Sequence, residues 1–380
     1  MPQNPLHHLH AAGQSIWLDY IDRSMLHSGE LEKRIADDAL TGMTSNPTIF
    51  EKALAEGTAY DAQIAAAPAG ASAWELFELV ETTDVRDACD RFRAVHDRTH
   101  GADGLVSIEV SPGAAHDPEA TIAEARRLWA MVGRPNVMIK VPGTPAGARA
   151  TRALIAEGLN VNVTLLFAIE AYDAVIEAYL SGLEDRVRAG KPVDRIASVA
   201  SFFVSRVDTE IDKRLEALRA KAASGAGQGL DTLLGKAAIA NAKVAYALFI
   251  ERFRGPRWAA LAAKGARVQR PLWASTSTKN PNYRDVIYVE ALIAPDTVNT
   301  MPPATLVAFR DHGVVRRTAD ADLAAERARL AALEALGIPI RGVTDQLLTE
   351  GLASFAKSFD TLIARLDEKA RHLGRAMAAR

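Results

Sequence analysis

The chain has 380 residues, 48% of them hydrophobic and 24% charged, with 45 Lys+Arg set against 47 Asp+Glu for a formal net charge of −2. That composition supplies a full apolar core and excludes a disordered chain, and its balance excludes a surface built to grip nucleic acid or an anionic membrane. Any anionic ligand has to be met by a local group of cations. The single cysteine, Cys89, rules out a disulfide framework and a cysteine-clustered metal site. No apolar run reaches the roughly 18 residues of a membrane span, and the opening MPQNPLHHLHAAGQ lacks the basic-then-apolar order of a secretory signal, so a cytoplasmic setting is expected.

In chain order, the N-terminal arm carries His7, His8 and His10, too near a chain end to make a convincing metal site. Ser15–Tyr20 and Ala39–Thr44 read as the first two strands. His96 and His100, four apart in HDRTH, lack the acidic base of HExxH, because Asp97 and Arg98 stand there, and they read as a solvated helix end instead of a metal pair. Leu105–Val110 is the third strand. In HDPEATIAEARRLWAMVGRP, Asp117 caps a helix, Pro118 suits its first position, Ile122, Ala125, Leu128, Trp129 and Val132 share a face, and Gly133 ends it. Asn136–Val141, Asn160–Leu165 and Ala197–Val204 follow as strands. SGAGQGL, Ser224 to Leu230, lacks both the third glycine and the preceding strand of a phosphate loop and reads as a flexible connection. Arg270–Ala274 and Thr297–Thr300 complete eight strands alternating with helices, which predicts an α/β fold of the (β/α)8 TIM barrel type.

Beyond Pro302 the pattern is helical. A helix over Leu323 to Leu336 ends at Gly337, and Leu348, Leu352, Phe355, Phe359, Leu362 and Leu366 form one apolar stripe that reads as core. The expected organisation is a barrel with its N-terminal arm over residues 1–314 and additional C-terminal helices over 315–380 packed on it, the basic tail EKARHLGRAMAAR being solvated.

Lys140 lies at the C-terminal end of the apolar strand NVMIKV, which runs directly into PGTPAG. Its stem could simply pack while the ammonium reaches solvent. The alternative is an amine nucleophile that forms a Schiff base with a ketose, which requires burial or a neighbouring cation to favour the free amine. Catalytic groups of such barrels sit at the C-terminal ends of strands, so Asp19, Asn46, Glu109, Asn162, Thr164 and Ser201 are candidates on the same ground. Taken singly, Asp19 and Glu109 are equally consistent with structural hydrogen bonding. Together, on the rims of different strands, they suit proton transfer on a polyhydroxylated substrate.

WLDYIDRSML, LTGMTSNPTIF, VSIEV, MIKVPGTPAG, NVNVTLLF, SFFVSRVD and WASTSTKNPNYRD, in this order, closely resemble the transaldolase family over residues 13–310 or so. The long WASTSTKNPNYRD with DTVNTMP resembles a bacterial branch that carries a C-terminal helical extension. The resemblance implies transfer of a dihydroxyacetone unit, without metal or other cofactor, from sedoheptulose 7-phosphate to glyceraldehyde 3-phosphate. It places the Schiff-base lysine at Lys140 and the acid/base aspartate at Asp19. It places Glu109 and Thr164 on the catalytic water, and Asn46, Asn162 and Ser201 on substrate hydroxyls. Arg206 matches a phosphate-binding arginine; where the family usually has an arginine in a short A-S-F-R segment, this chain has Ser275 and Lys279, so Lys279 is either the second phosphate ligand or a surface residue. A helix-start ion pair with Asp208 or Glu210 is the structural alternative for Arg206. Phe203 stands where fructose 6-phosphate aldolases, which are much shorter, place a tyrosine, and both features favour transfer over cleavage. A non-catalytic sugar-phosphate binder is disfavoured because Lys140, Asp19 and Glu109 occur together. The expected partners are small sugar phosphates, with no nucleic acid or membrane; monomer and homodimer both stay open.

Overall fold

The computed structural model describes residues 4–55, 57–221 and 229–374. Eight parallel strands close into a barrel in sequence order: β1 Gln14–Asp19, β2 Leu40–Thr44, β3 Leu105–Glu109, β4 Val137–Pro142, β5 Val161–Leu166, β6 Ser198–Phe203, β7 Arg270–Ala274 and β8 Thr297–Met301. Each lies within one residue of its expected bounds. Nearly every strand position is buried, as a strand must be when a filled interior lies on one face and helices on the other.

Two apolar regions hold the fold. Inside the barrel, Trp17, Leu105, Met138, Val199, Leu272 and Val298 pack together. Gly42 on β2 leaves room for the Trp17 indole, whose ring would lie 2.5 Å from any Cβ placed there. A polar plug closes the opposite end from the site: Trp17 Nε1 donates to Asp103 (2.8 Å), Ser15 Oγ donates to the same carboxylate, and Arg270 Nη1 donates to Ser15 (2.6 Å). The larger region lies between barrel and helices.

Local punctuation sets the helices. Asp117 caps Pro118–Val132 by accepting from Ala120 N–H, and Gly133 ends it in the left-handed conformation. Thr144 caps Pro145–Glu157, the helix that follows β4. Leu323–Ala335 packs on Ala237–Arg252, where buried Lys243 meets Glu326 at 3.4 Å. The terminal helix, Ile340–His372, lies against the helices Pro47–Ala55 and Ala73–Arg98.

Several expectations are corrected. The N-terminal arm is a docked helix, Pro5–Ala11, with Leu6 and Leu9 fully buried. His96 is buried against the backbone around Gly104, while His100 is exposed in a left-handed turn. The two do not face one way, and the helix end is not simply solvated. The terminal stripe is core only in its second half: Phe359, Leu362 and Leu366 are buried, whereas Leu348, Leu352 and Phe355 are half-buried and Val343, Leu347 and Gly351 take the inward positions. Ser224 to Gln228 of the glycine-rich stretch and the tail from Arg375 lie outside the described residues. Among the described residues no helix is long and apolar enough to cross a membrane.

Candidate active site

At the C-terminal ends of the strands a cavity of about 600 Å³ opens, lined by ten of the eleven residues singled out from the sequence: Asp19, Asn46, Glu109, Lys140, Thr164, Ser201, Phe203, Arg206, Ser275 and Lys279. Strand register creates its centre. Glu109 on β3 and Lys140 on β4 are direct neighbours, and Lys140 Nζ donates to Glu109 Oε2 (2.8 Å) and to the Ser45 carbonyl (2.9 Å). Both side chains are under a tenth exposed. Burial raises the Glu109 pKa and the Asp19 charge adds to this, while the Lys140 ammonium opposes it. Behind it Glu81, on the helix Ala73–Arg98, is also buried, and burial together with the charges of Glu109, Glu124 and Glu78 pushes its carboxyl well up.

Asp19 faces the lysine from β1. Thr44 Oγ1 donates to Asp19 Oδ1 (2.8 Å) and lies 2.7 Å from Thr300 Oγ1; since the single Thr44 proton is committed to the carboxylate, Thr300 is the donor in that second contact. Burial raises the Asp19 pKa, against the pull of Lys140, the Thr44 hydrogen bond, Lys279 and Arg206.

Asn162 is the one candidate not brought to the cavity wall. It is fully buried one layer below, accepting from Ser201 Oγ (2.7 Å) and donating to Ser107 Oγ (3.0 Å). It therefore fixes Ser201, the hydroxyl that does reach the cavity. Asn46 accepts from Ile49 N–H (3.1 Å) and stays half-exposed at the start of its helix. Beside Thr164, Leu165 adopts φ 59, a left-handed conformation that interrupts the β5–β6 register between Val163 and Leu166.

The cations form the opposite wall. Arg206 opens the helix Ser205–Lys221 after β6, with its Cζ 5.3 Å from the Phe203 ring centre. The helix-start ion pair is absent: Asp208 accepts from Ala238 N–H (2.7 Å) and Tyr288 Oη (2.9 Å), Glu210 pairs with Arg214 (2.8 Å), and Arg206 has no ion pair among the described residues. Lys279 donates to Ser277 Oγ (2.7 Å), and burial and the Arg206 charge both lower its pKa. Two like charges with no carboxylate bonded to either among the described residues suit a phosphate dianion. Ser275, at φ 55, ties β7 to that helix start through its carbonyl and Ser205 N–H (3.1 Å).

Sequence reasoning missed Thr44, Thr300 and the Ser45 carbonyl, and missed that Gly351, Ser354, Phe355 and Ser358 of the terminal helix line the cavity. Thr44 and Ser45 were visible in GMTSNP, but nothing local marks which strand they face.

Residues 16–366 match the family model described as transaldolase/fructose-6-phosphate aldolase. A protein named transaldolase from Acidothermus cellulolyticus is 51% identical over 363 residues, 95% of this chain and 95% of that one. The transaldolase of Thermobifida fusca is 49% identical over 368 residues, 96% and 98% of the two chains. Transaldolase 2 of a Nostoc species is 47% identical over 378 residues, 98% and 99%.

Proposed function

Because the chain belongs to the transaldolase/fructose-6-phosphate aldolase family and is an enzyme of the transaldolase type, we propose that it carries the transferred dihydroxyacetone unit as a Schiff base on Lys140. The reaction belongs to the pentose phosphate pathway, with sedoheptulose 7-phosphate as donor and glyceraldehyde 3-phosphate as acceptor. One observation carries the mechanism: a buried lysine amine in contact with a carboxyl at 2.8 Å, with a second carboxyl lining the same cavity from another strand.

A proton passed from Lys140 to Glu109 along that contact leaves a free amine and a neutral acid, and burial, which raises the Glu109 pKa, lets that carboxyl take it. The amine adds to the donor carbonyl, the neutral Glu109 returns its proton to the carbinolamine hydroxyl, and water leaves, giving a protonated imine. Asp19 then takes the proton of the C4 hydroxyl, the C3–C4 bond breaks, and its electron pair moves into the imine to give a neutral enamine as the aldose phosphate departs. The enamine attacks the acceptor aldehyde, and Asp19 returns its proton to the new alkoxide. Water held by Glu109 and Thr164 hydrolyses the imine and frees the ketose product. Arg206, Lys279 and Ser275 hold the phosphate, and Asn46 and Ser201 orient hydroxyls, with Asn162 steadying Ser201. The ligands we assign are small sugar phosphates and the setting is the cytoplasm, in keeping with the lone buried Cys89.

Borohydride reduction with fructose 6-phosphate tests this. We expect a three-carbon adduct on Lys140, and loss of both adduct and transfer in Lys140→Met. An unmodified Lys140, or a fully active variant, would overturn the assignment.

A further inference from the structure

The terminal helix Ile340–His372 spans the cavity from one side of the barrel to the other. On the β6 side, Arg214 donates to Gln346 (2.6 Å), and a methyl at Gly351 would lie 3.2 Å from Leu165 Cδ2 and 3.8 Å from Arg206 Nη1. On the β2 side, Ser358 Oγ accepts from Thr48 (2.9 Å), Arg365 pairs with Glu51 (2.9 Å) and Lys369 with Asp61 (2.7 Å). β2 and β6 stand opposite each other in the ring of eight, and between them the helix also touches β5 and the turn Pro112–Ala114 that follows β3, so it crosses that half of the barrel mouth. Between its footings the cavity wall is Gly351, Ser354, Phe355 and Ser358, one face at i, i+3, i+4 and i+7.

The two hydroxyls on this face differ. Ser358 is engaged with Thr48, whereas Ser354 is exposed at the cavity and has no hydrogen-bond partner among the described residues. Ser354 stands three residues from Gly351, about 4.5 Å along the axis, in the direction leading from Arg206 towards Thr48. We propose that Ser354 hydrogen-bonds a hydroxyl in the middle of the bound ketose phosphate and so favours the seven-carbon donor over the six-carbon one. This rests on the Lys140 and Arg206 assignments, which pin the two ends of the substrate. With the carbonyl end held at the imine and the phosphate beside Gly351, a chain one carbon longer cannot lie straighter. Its extra length bows towards the roof, where Ser354 offers the only uncommitted hydroxyl on that helix face among the described residues.

The test compares kcat/KM for sedoheptulose 7-phosphate and fructose 6-phosphate in the parent enzyme, Ser354→Ala and Ser354→Thr. Loss of one neutral hydrogen bond predicts a fall of about fivefold for the seven-carbon donor in the alanine variant. The six-carbon donor should be little changed, and threonine, which keeps the hydroxyl, should restore the preference. The melting temperature should not move, since alanine at an exposed helical position disturbs no packing. No loss, an equal loss for both donors, or threonine behaving as alanine, with Lys140 still trapped by borohydride, overturns the roof contact alone. Failure of trapping in the parent enzyme overturns the reading beneath it.

Discussion

Asp19 has two demands placed on it, and they pull its carboxyl in opposite directions. In the base role proposed for it, it must be ionised, yet burial favours its neutral form, and Lys140, Thr44, Lys279 and Arg206 only partly offset this. Its folded pKa is raised, so the ionised fraction, and with it kcat/KM, climbs with pH through a value above the ordinary carboxylate range of about 4. The pH profile should show an acid limb displaced upward. Asp19→Asn should lower kcat by on the order of 10²–10⁴ and abolish that limb while still allowing borohydride trapping on Lys140, because imine formation does not need this base. A variant with parental kcat and the same limb would remove Asp19 from the proton transfer. At this scale the sequence was informative wherever a side chain lies at or near the C-terminal end of a strand, as Asp19 and Glu109 do at the last position and Lys140 two residues before it. It was silent on partners: the contacts of Thr44 with Asp19 and with Thr300, and of Lys140 with Ser45, join residues 25, 256 and 95 positions apart.

Among the elements, the terminal helix departs furthest from its sequence reading. Its stripe has the regular spacing of a core helix, and the C-terminal half behaves as one: Phe359 meets Trp74 at 5.0 Å and Phe77 at 5.5 Å between ring centres, and Leu362 is fully buried. Closer to its start the same helix faces the cavity, where Gly351 and Ser354 replace the large apolar residues that a core would demand. Leu362→Ala should cost about 2–5 kcal/mol through lost burial and a residual cavity, read as a lower midpoint in denaturant. Because that anchor also holds the roof, KM for the donor should rise more than kcat falls. A destabilised variant with unchanged KM would show that the two halves of the helix act independently. Periodicity reports that a face is covered; it does not report whether protein or ligand covers it.

For the whole molecule, buried carboxyls couple stability to pH. Burial pushes Asp208 up to about 7, with the Asp212 charge adding and the Ala238 N–H and Tyr288 hydroxyl pulling it back. In the unfolded chain the same group titrates near the ordinary value of about 3.9. Below that value both states are protonated and the group costs nothing. As pH rises towards 7 the unfolded chain releases its proton and the folded protein retains it, so stability falls with pH across that window. Asp208→Asn should flatten the dependence of melting temperature on pH between about 4 and 7, gaining on the parent at the upper end. Parallel profiles for parent and variant would mean that Asp208 does not couple stability to pH in this range.

The amino-acid sequence by itself determined the barrel, its strand ends and ten of the side chains that line the cavity. Those follow from local properties: apolar runs buried on both faces, helix caps such as Asp117 and Gly133, and side chains placed where a strand stops. Only the tertiary structure decided which of those side chains touch, that Asn162 supports Ser201 from below, and that Arg206 is free of its neighbouring carboxylates. It also decided that the last helix roofs the site. Each of these depends on how strands and helices pack in space, which brings together residues as far apart in the chain as Thr44 and Thr300, and a linear pattern holds no record of that packing.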